Sequence, residues 1–124
     1  MYEITIETHL SSAHRLRQYD GECERLHGHN WNVQISVTAE ELNELGMVMD
    51  FKDLKQKTKA LIDKFDHQYL NDIPPFTEIN PTTENMARYI YNEVSKSIND
   101  SRVRVIKATV WESENSYASY SEEN

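Results

Sequence analysis

A single cysteine, Cys23, stands among the 124 residues, so no disulfide can form within the chain. A reducing compartment, the cytoplasm, is the natural setting for such a protein. Basic charge is also in short supply: 13 lysines and arginines face 21 aspartates and glutamates, a formal net charge of −8. Affinity for DNA or RNA comes from basic patches, so a nucleic-acid partner is not expected. No apolar run approaches the length that spans a bilayer, and the first residues alternate charged and apolar types where a signal peptide would be continuously apolar. No repeat, low-complexity tract or linker divides the chain. With 38% hydrophobic and 27% charged residues it reads as a globular protein, one domain over 1–124.

What is present is patterned. Residues 2–10 place Ile4, Ile6 and Leu10 on one side and Glu3, Thr5 and Glu7 on the other, a period of two that predicts a half-buried strand. Trp31, Val33, Ile35 and Val37 repeat the alternation, which predicts a second strand antiparallel to the first. From Asp50, a suitable N-cap, the spacing turns helical, with Phe51, Leu54, Thr58, Leu61, Ile62 and Phe65 as its stripe. A second helix is predicted after Pro81, capped by Thr82 or Thr83, with Met86, Ile90, Val94 and Ile98 buried. Residues 103–111 and 116–120 read as closing strands. The order ββααββ gives an α+β fold, a four-stranded antiparallel sheet carrying two helices on one face. Its open edges must be paired or covered, and assembly into an oligomer is one way to do so.

Three of the five histidines, His14, His27 and His29, lie within residues 14–29. His27 and His29 are two apart at the start of a strand, which puts both rings on one face. His14 follows the first strand, whose partner is the strand that His29 leads into, so the three can be neighbours. Three imidazoles with one position left open form the donor set of a catalytic zinc; histidines without metal are the plainer alternative. Cys23, four residues before His27, could close a structural site or be a buried thiol. Beside Arg25 and a metal its pKa would fall, which suits a proton-transfer group.

Asp66 and His67 are adjacent just after the first helix. An aspartate can hold one imidazole tautomer and raise its basicity, although such pairs in loops are commonly just solvated. Glu112, at a strand end, can accept two parallel hydrogen bonds from a cyclic amidine edge, as pterins and guanines present; alone it is a solvated side chain. Thr82 and Thr83 are helix caps first and ligand contacts second. Arg15, Arg17 and Arg25 make the surroundings of the histidines less acidic than the whole, as an anionic small substrate requires. Arg15, Arg25 and Lys107 are candidates to hold phosphates.

Several stretches match one family in order: Ser12-Ala13-His14-Arg15-Leu16, Cys23-Glu24-Arg25-Leu26-His27-Gly28-His29-Asn30, Met49-Asp50-Phe51-Lys52-Asp53-Leu54, Asp66-His67-Gln68-Tyr69-Leu70-Asn71 and Pro81-Thr82-Thr83-Glu84-Asn85, with Glu112 and Tyr120 beyond. The chain resembles the 6-pyruvoyl-tetrahydropterin synthase superfamily, most closely its 6-carboxytetrahydropterin synthase branch, whose Cys-to-His spacing looks like that of Cys23 and His27. The resemblance implies the tunnelling fold, in which strands of neighbouring subunits join into an oligomeric barrel, usually a homohexamer built as a dimer of trimers with active sites at subunit interfaces. It implies Zn²⁺ held by His14, His27 and His29, catalytic roles for Cys23, Asp66 and His67, and a pterin anchored by Glu112, with Thr82, Thr83 and Arg25 also on the substrate. The implied activity is a lyase acting on 7,8-dihydroneopterin triphosphate on the route to queuosine. A pyruvoyl-forming synthase and a non-catalytic zinc-binding domain of the same fold are the alternatives. Leu10, Phe65, Ser113 and Ser116 depart from the family pattern, the last two near Glu112.

Overall fold

The computed structural model of the chain describes residues 1–18 and 26–122. Two long strands come first, β1 (Tyr2–His14) and β2 (His27–Ala39), then helix α1 (Phe51–Ile62), a 3-10 turn (Leu70–Asp72), helix α2 (Thr83–Ile98) and strands β3 (Arg104–Trp111) and β4 (Tyr117–Tyr120). The strands form one antiparallel sheet in the order β1-β2-β3-β4.

Register follows the apolar alternation. Ile6 pairs with Ile35 and Leu10 with Trp31, and a one-residue slip would turn every one of these side chains to the other face. On the core face they join Val33, Val37, Val105, Ala108 and Val110 and pack against Leu54 and Ile62 of α1 and Met86, Ile90, Val94 and Ile98 of α2. The opposite face is polar: Thr5 and Ser36 hydroxyls meet at 2.8 Å, and the Glu7 carboxylate accepts from Asn32 and Gln34. The β2–β3 register shifts between Ser36 and Val37, beyond which pairing resumes from Val105.

Both helices start where side-chain caps are available. The Asp50 carboxylate accepts from the Lys52 amide at 2.8 Å, and the Thr82 hydroxyl from the Asn85 amide at 3.1 Å, so Thr82 and not Thr83 is the N-cap of α2. Three expectations need correction. β1 continues past Leu10 and includes His14 as its last residue, because β2 begins at His27 and supplies partners that far. The α1 stripe ends at Ile62, and Phe65 is buried beyond the helix end. Phe51 is 54% exposed; a helical side chain leans over the turn before it, and the first residue has none beneath it.

The edge of β1 is covered over its last residues. The His67 amide donates to the Ser11 carbonyl and the Ala13 amide to the Gln68 carbonyl at 3.0 Å. At the other end of the sheet β4 leans on α2 through Tyr120 and Tyr91, whose rings lie 5.1 Å apart. Ile35, fully buried on β2, is expected to lose about 2–5 kcal/mol on Ile35→Ala in urea unfolding. Exposed Phe51 should stay within about 0.5 kcal/mol of the parent on Phe51→Ala.

Candidate metal centre

Strand pairing builds the site. His14 is directly opposite His27, and Ser12 opposite His29, so the three imidazoles share the core face at the end of the sheet where the β1–β2 ladder stops. Their ring centroids lie 4.7, 5.2 and 4.6 Å apart, for His14–His27, His14–His29 and His27–His29. Fully buried Trp31 forms the wall between site and core, edge-on to the His14 ring at 5.0 Å. β3 brings the fourth group. Trp111 pairs with Asn32, so the next residue, Glu112, turns to the face of Trp31 and His29, and its Oε1 lies 3.3 Å from His29 Nε2.

The donor set suits a cation. One nitrogen from each of His14, His27 and His29 and one carboxylate oxygen of Glu112 all lie within 4.8 Å of one another. His14 Nδ1 stands 2.8 Å from the Pro81 carbonyl, and a carbonyl can only accept, so Nδ1 carries the proton. Nε2 then keeps its lone pair, and it points to His27 Nε2 at 3.2 Å. Neighbouring ligands of a tetrahedral zinc with Zn–N bonds of about 2.0–2.1 Å are separated by roughly 3.4 Å. The Pro81 carbonyl is thus suited to be the outer partner that orients the His14 imidazole for a metal. Sequence reasoning did not reach it: it is 67 positions from His14 and a main-chain atom leaves no signature in residue type.

Burial, foremost, lowers the pKa of His14 and of His29; the Pro81 carbonyl and the Glu112 carboxylate oppose it in part. Neutral imidazole is the form a metal binds.

Asp66 and His67 form a second unit. The Ser11 amide donates to Asp66 Oδ1 at 2.8 Å, and His67 Nδ1 lies 3.0 Å from Asp66 Oδ2. The Asp66 carboxyl is held below the usual carboxylate range, by the Ser11 amide first and His67 second. An ionised Asp66 fixes the proton on His67 Nδ1 and leaves Nε2 as a base directed outward. His67 has a backbone φ of 57° and a side chain 80% exposed. It opens onto a broad depression of about 740 Å³ lined by Ser11, Ala13, Gly28 and Asn30, together with His29. Those first four alternate with Ser12, His14, His27 and His29, so they belong to the opposite face of the sheet. Within one chain, then, the pair is not gathered into the His14–His27–His29–Glu112 group.

The other candidates are divided. Thr83 lines a recess of about 140 Å³ with Glu84, Glu112, Ser116 and Tyr117, whereas the hydroxyl of Thr82 is engaged in its cap. Arg15 and Lys107 are exposed. Arg17 is committed to the fold, its guanidinium donating to the carbonyls of Phe76, Ile79 and Asn71 at 2.6, 3.2 and 3.2 Å. Cys23 and Arg25 lie outside the described residues.

A pH dependence follows from buried His14 and half-buried His29. Their folded pKa values lie below the ordinary 6.5, so the unfolded chain binds more protons as the pH drops past that value. Their contribution to stability is complete above it and lost as the pH falls towards the folded values. Denaturant unfolding of the metal-free protein should show lower stability at about pH 5.5 than at about pH 7.5, with the difference reduced in His14→Phe. An equal pH dependence in that variant would contradict the assignment.

Comparison with known proteins agrees with this geometry. The profile of the 6-pyruvoyl tetrahydropterin synthase family matches residues 3–123. The chain is 32% identical over 126 residues to the 6-carboxy-5,6,7,8-tetrahydropterin synthase of Bacillus subtilis, covering 96% of this chain and 84% of that one. It is also 32% identical over 123 residues to the 6-pyruvoyl tetrahydrobiopterin synthase of Dictyostelium discoideum, covering 90% and 89%. Among solved structures, the 6-pyruvoyl tetrahydropterin synthase of Caenorhabditis elegans superposes with a TM-score of 0.84 at 27% identity, over 99% of this chain and 98% of that one. A histidine triad set by strand register, on a fold shared with these enzymes and a sequence matched nearly end to end, places the chain in the 6-pyruvoyl tetrahydropterin synthase family.

Proposed function

We propose that the chain is a zinc-dependent lyase converting 7,8-dihydroneopterin triphosphate to 6-carboxy-5,6,7,8-tetrahydropterin, acetaldehyde and triphosphate, in the biosynthesis of queuosine and related 7-deazapurines in the cytoplasm. The observation that carries this reading is the convergence of His14, His27 and His29 beside Glu112. The relatives named 6-carboxy-5,6,7,8-tetrahydropterin synthase support the choice of product, as does the short spacing between Cys23 and His27.

Zn²⁺ held by the three histidines supplies Lewis-acid stabilisation of charge developing on the substrate's side-chain oxygens. The protein's own groups do the rest. Pro81 keeps His14 in the tautomer that offers Nε2. The Glu112 carboxylate receives the amidine edge of the pterin ring in the recess it shares with Thr83, with Thr82 holding the backbone there, and in doing so exchanges His29 for the ring. Cys23 and the Asp66–His67 pair transfer protons, the latter through His67 Nε2. Arg15, Arg25 and Lys107 are placed on the triphosphate.

The outward direction of His67 gives the assembly a purpose. We assign the oligomer as a homohexamer, a dimer of trimers, in which the Asp66–His67 pair of one subunit completes the metal site of another.

Incubation of the purified protein with 7,8-dihydroneopterin triphosphate, with products identified by mass, is expected to yield acetaldehyde and the 6-carboxy product. A pyruvoyl product without acetaldehyde would assign the chain to the activity named for the Dictyostelium relative. Retained zinc with no turnover of any dihydropterin would make it a binding domain. Cys23→Ala is expected to keep its zinc and lose turnover by about 10²–10⁴-fold; loss of the metal in that variant would mean that the thiol is a ligand.

A further inference from the structure

Beyond His14 the β1–β2 ladder ends and the chain turns at Arg17 and Gln18, yet its backbone groups stay paired on the other edge. Residues 11, 13, 15 and 17 each present backbone groups there, as alternate residues of a strand do. Ser11 meets the Asp66 carboxylate and the His67 amide, and Ala13 meets the Gln68 carbonyl. For the next two the partner is a side chain. The Arg15 amide donates to Asn71 Oδ1 and its carbonyl accepts from Asn71 Nδ2, both at 2.9 Å. The Arg17 amide donates to Asn80 Oδ1 at 2.8 Å and its carbonyl accepts from Asn80 Nδ2 at 3.0 Å. A primary amide offers the same acceptor and donor as a peptide group, so each asparagine stands in for a residue of a neighbouring strand.

Both asparagines reach the metal group through what lies next to them. Asn80 precedes Pro81, whose carbonyl holds His14 Nδ1, and the Asn80 carbonyl is itself held by Asn85 Nδ2 at 2.9 Å. Asn71 is 5% exposed and its carbonyl accepts from the Arg17 guanidinium, which bridges to Phe76 and Ile79 on the way to Asn80. The result is a closed loop of hydrogen bonds in which His14, Arg15, Arg17 and the start of α2 are located relative to one another.

The geometry points to Asn71 and Asn80 as positioning residues of the metal site: by pairing the backbone of Arg15 and Arg17 as a neighbouring strand would, they fix His14 against Pro81. This rests on the proposed zinc-dependent function and names residues to which the sequence comparison gives no role. A purely structural role is the competing account. Arg102 provides the control, because its guanidinium also clamps two carbonyls, those of Glu41 and Val48, and neither belongs to the metal group.

Asn80→Asp and Asn71→Asp keep side-chain size and the acceptor while removing the donor. Zinc affinity is measured by competition with a chromophoric chelator, coordination by the visible bands of the Co²⁺-substituted protein, and fold stability by the thermal midpoint of the metal-free protein. The asparagine variants are expected to bind zinc about tenfold more weakly, with altered Co²⁺ bands, whereas Arg102→Ala lowers the thermal midpoint and leaves zinc affinity as in the parent. Unchanged zinc affinity and Co²⁺ bands in both asparagine variants overturn the proposal. Should these variants not fold, amide hydrogen exchange on the parent protein decides: zinc is expected to slow exchange at Arg15 and Arg17 relative to Val103, and equal protection with and without zinc overturns it. A parent protein that binds no zinc sinks the proposed function instead, a result distinct from variants that bind as well as the parent.

Discussion

Pairing between β1 and β2 sets His14 opposite His27 and Ser12 opposite His29, and the same ladder sets Leu10 against Trp31 and Ile6 against Ile35. Side-chain direction in a strand has a period of two, so the register that buries the apolar set also turns the three imidazoles to one face. The core therefore enforces the metal group. Burying His14 to 2% exposure disfavours its charged form, a cost that the apolar packing behind Trp31 offsets. Removing the apolar alternation would leave the ring nitrogens no reason to converge.

Two faces of the sheet divide the chemistry. The core face ends in nitrogen and carboxylate donors with a carbonyl behind one of them; beside the polar face stands an aspartate–histidine pair directed outward. Both units are anchored to the same strand, His14 as its last residue and Asp66 through the Ser11 amide. The strand between them holds each in place while keeping the two units apart.

Much of this was legible in residue order. Periods of two gave β1 and β2, helical spacing gave α1 and the Met86–Ile90–Val94–Ile98 stripe, and Asp50 and Thr82 act as the caps their chemistry suggests. His27 and His29 needed only strand alternation. Where the reading fell short, the cause was distance along the chain. That His14 is inside β1 depends on β2 beginning at His27, and the exposure of Phe51 depends on what lies beneath the first helical turn. Nothing local to Asn71 or Asn80 reveals that their amides meet backbone 56 and 63 positions away.

The sequence by itself determined the strand and helix periods and the histidine spacing, since each depends on residue type and near neighbours. Only the tertiary structure decided that Glu112 joins the histidines, that Pro81 selects the tautomer of His14, and that Asp66 and His67 stand outside that group. Those relations arise from strand register and from the main-chain atoms of distant segments, and neither is encoded in any short run of residues.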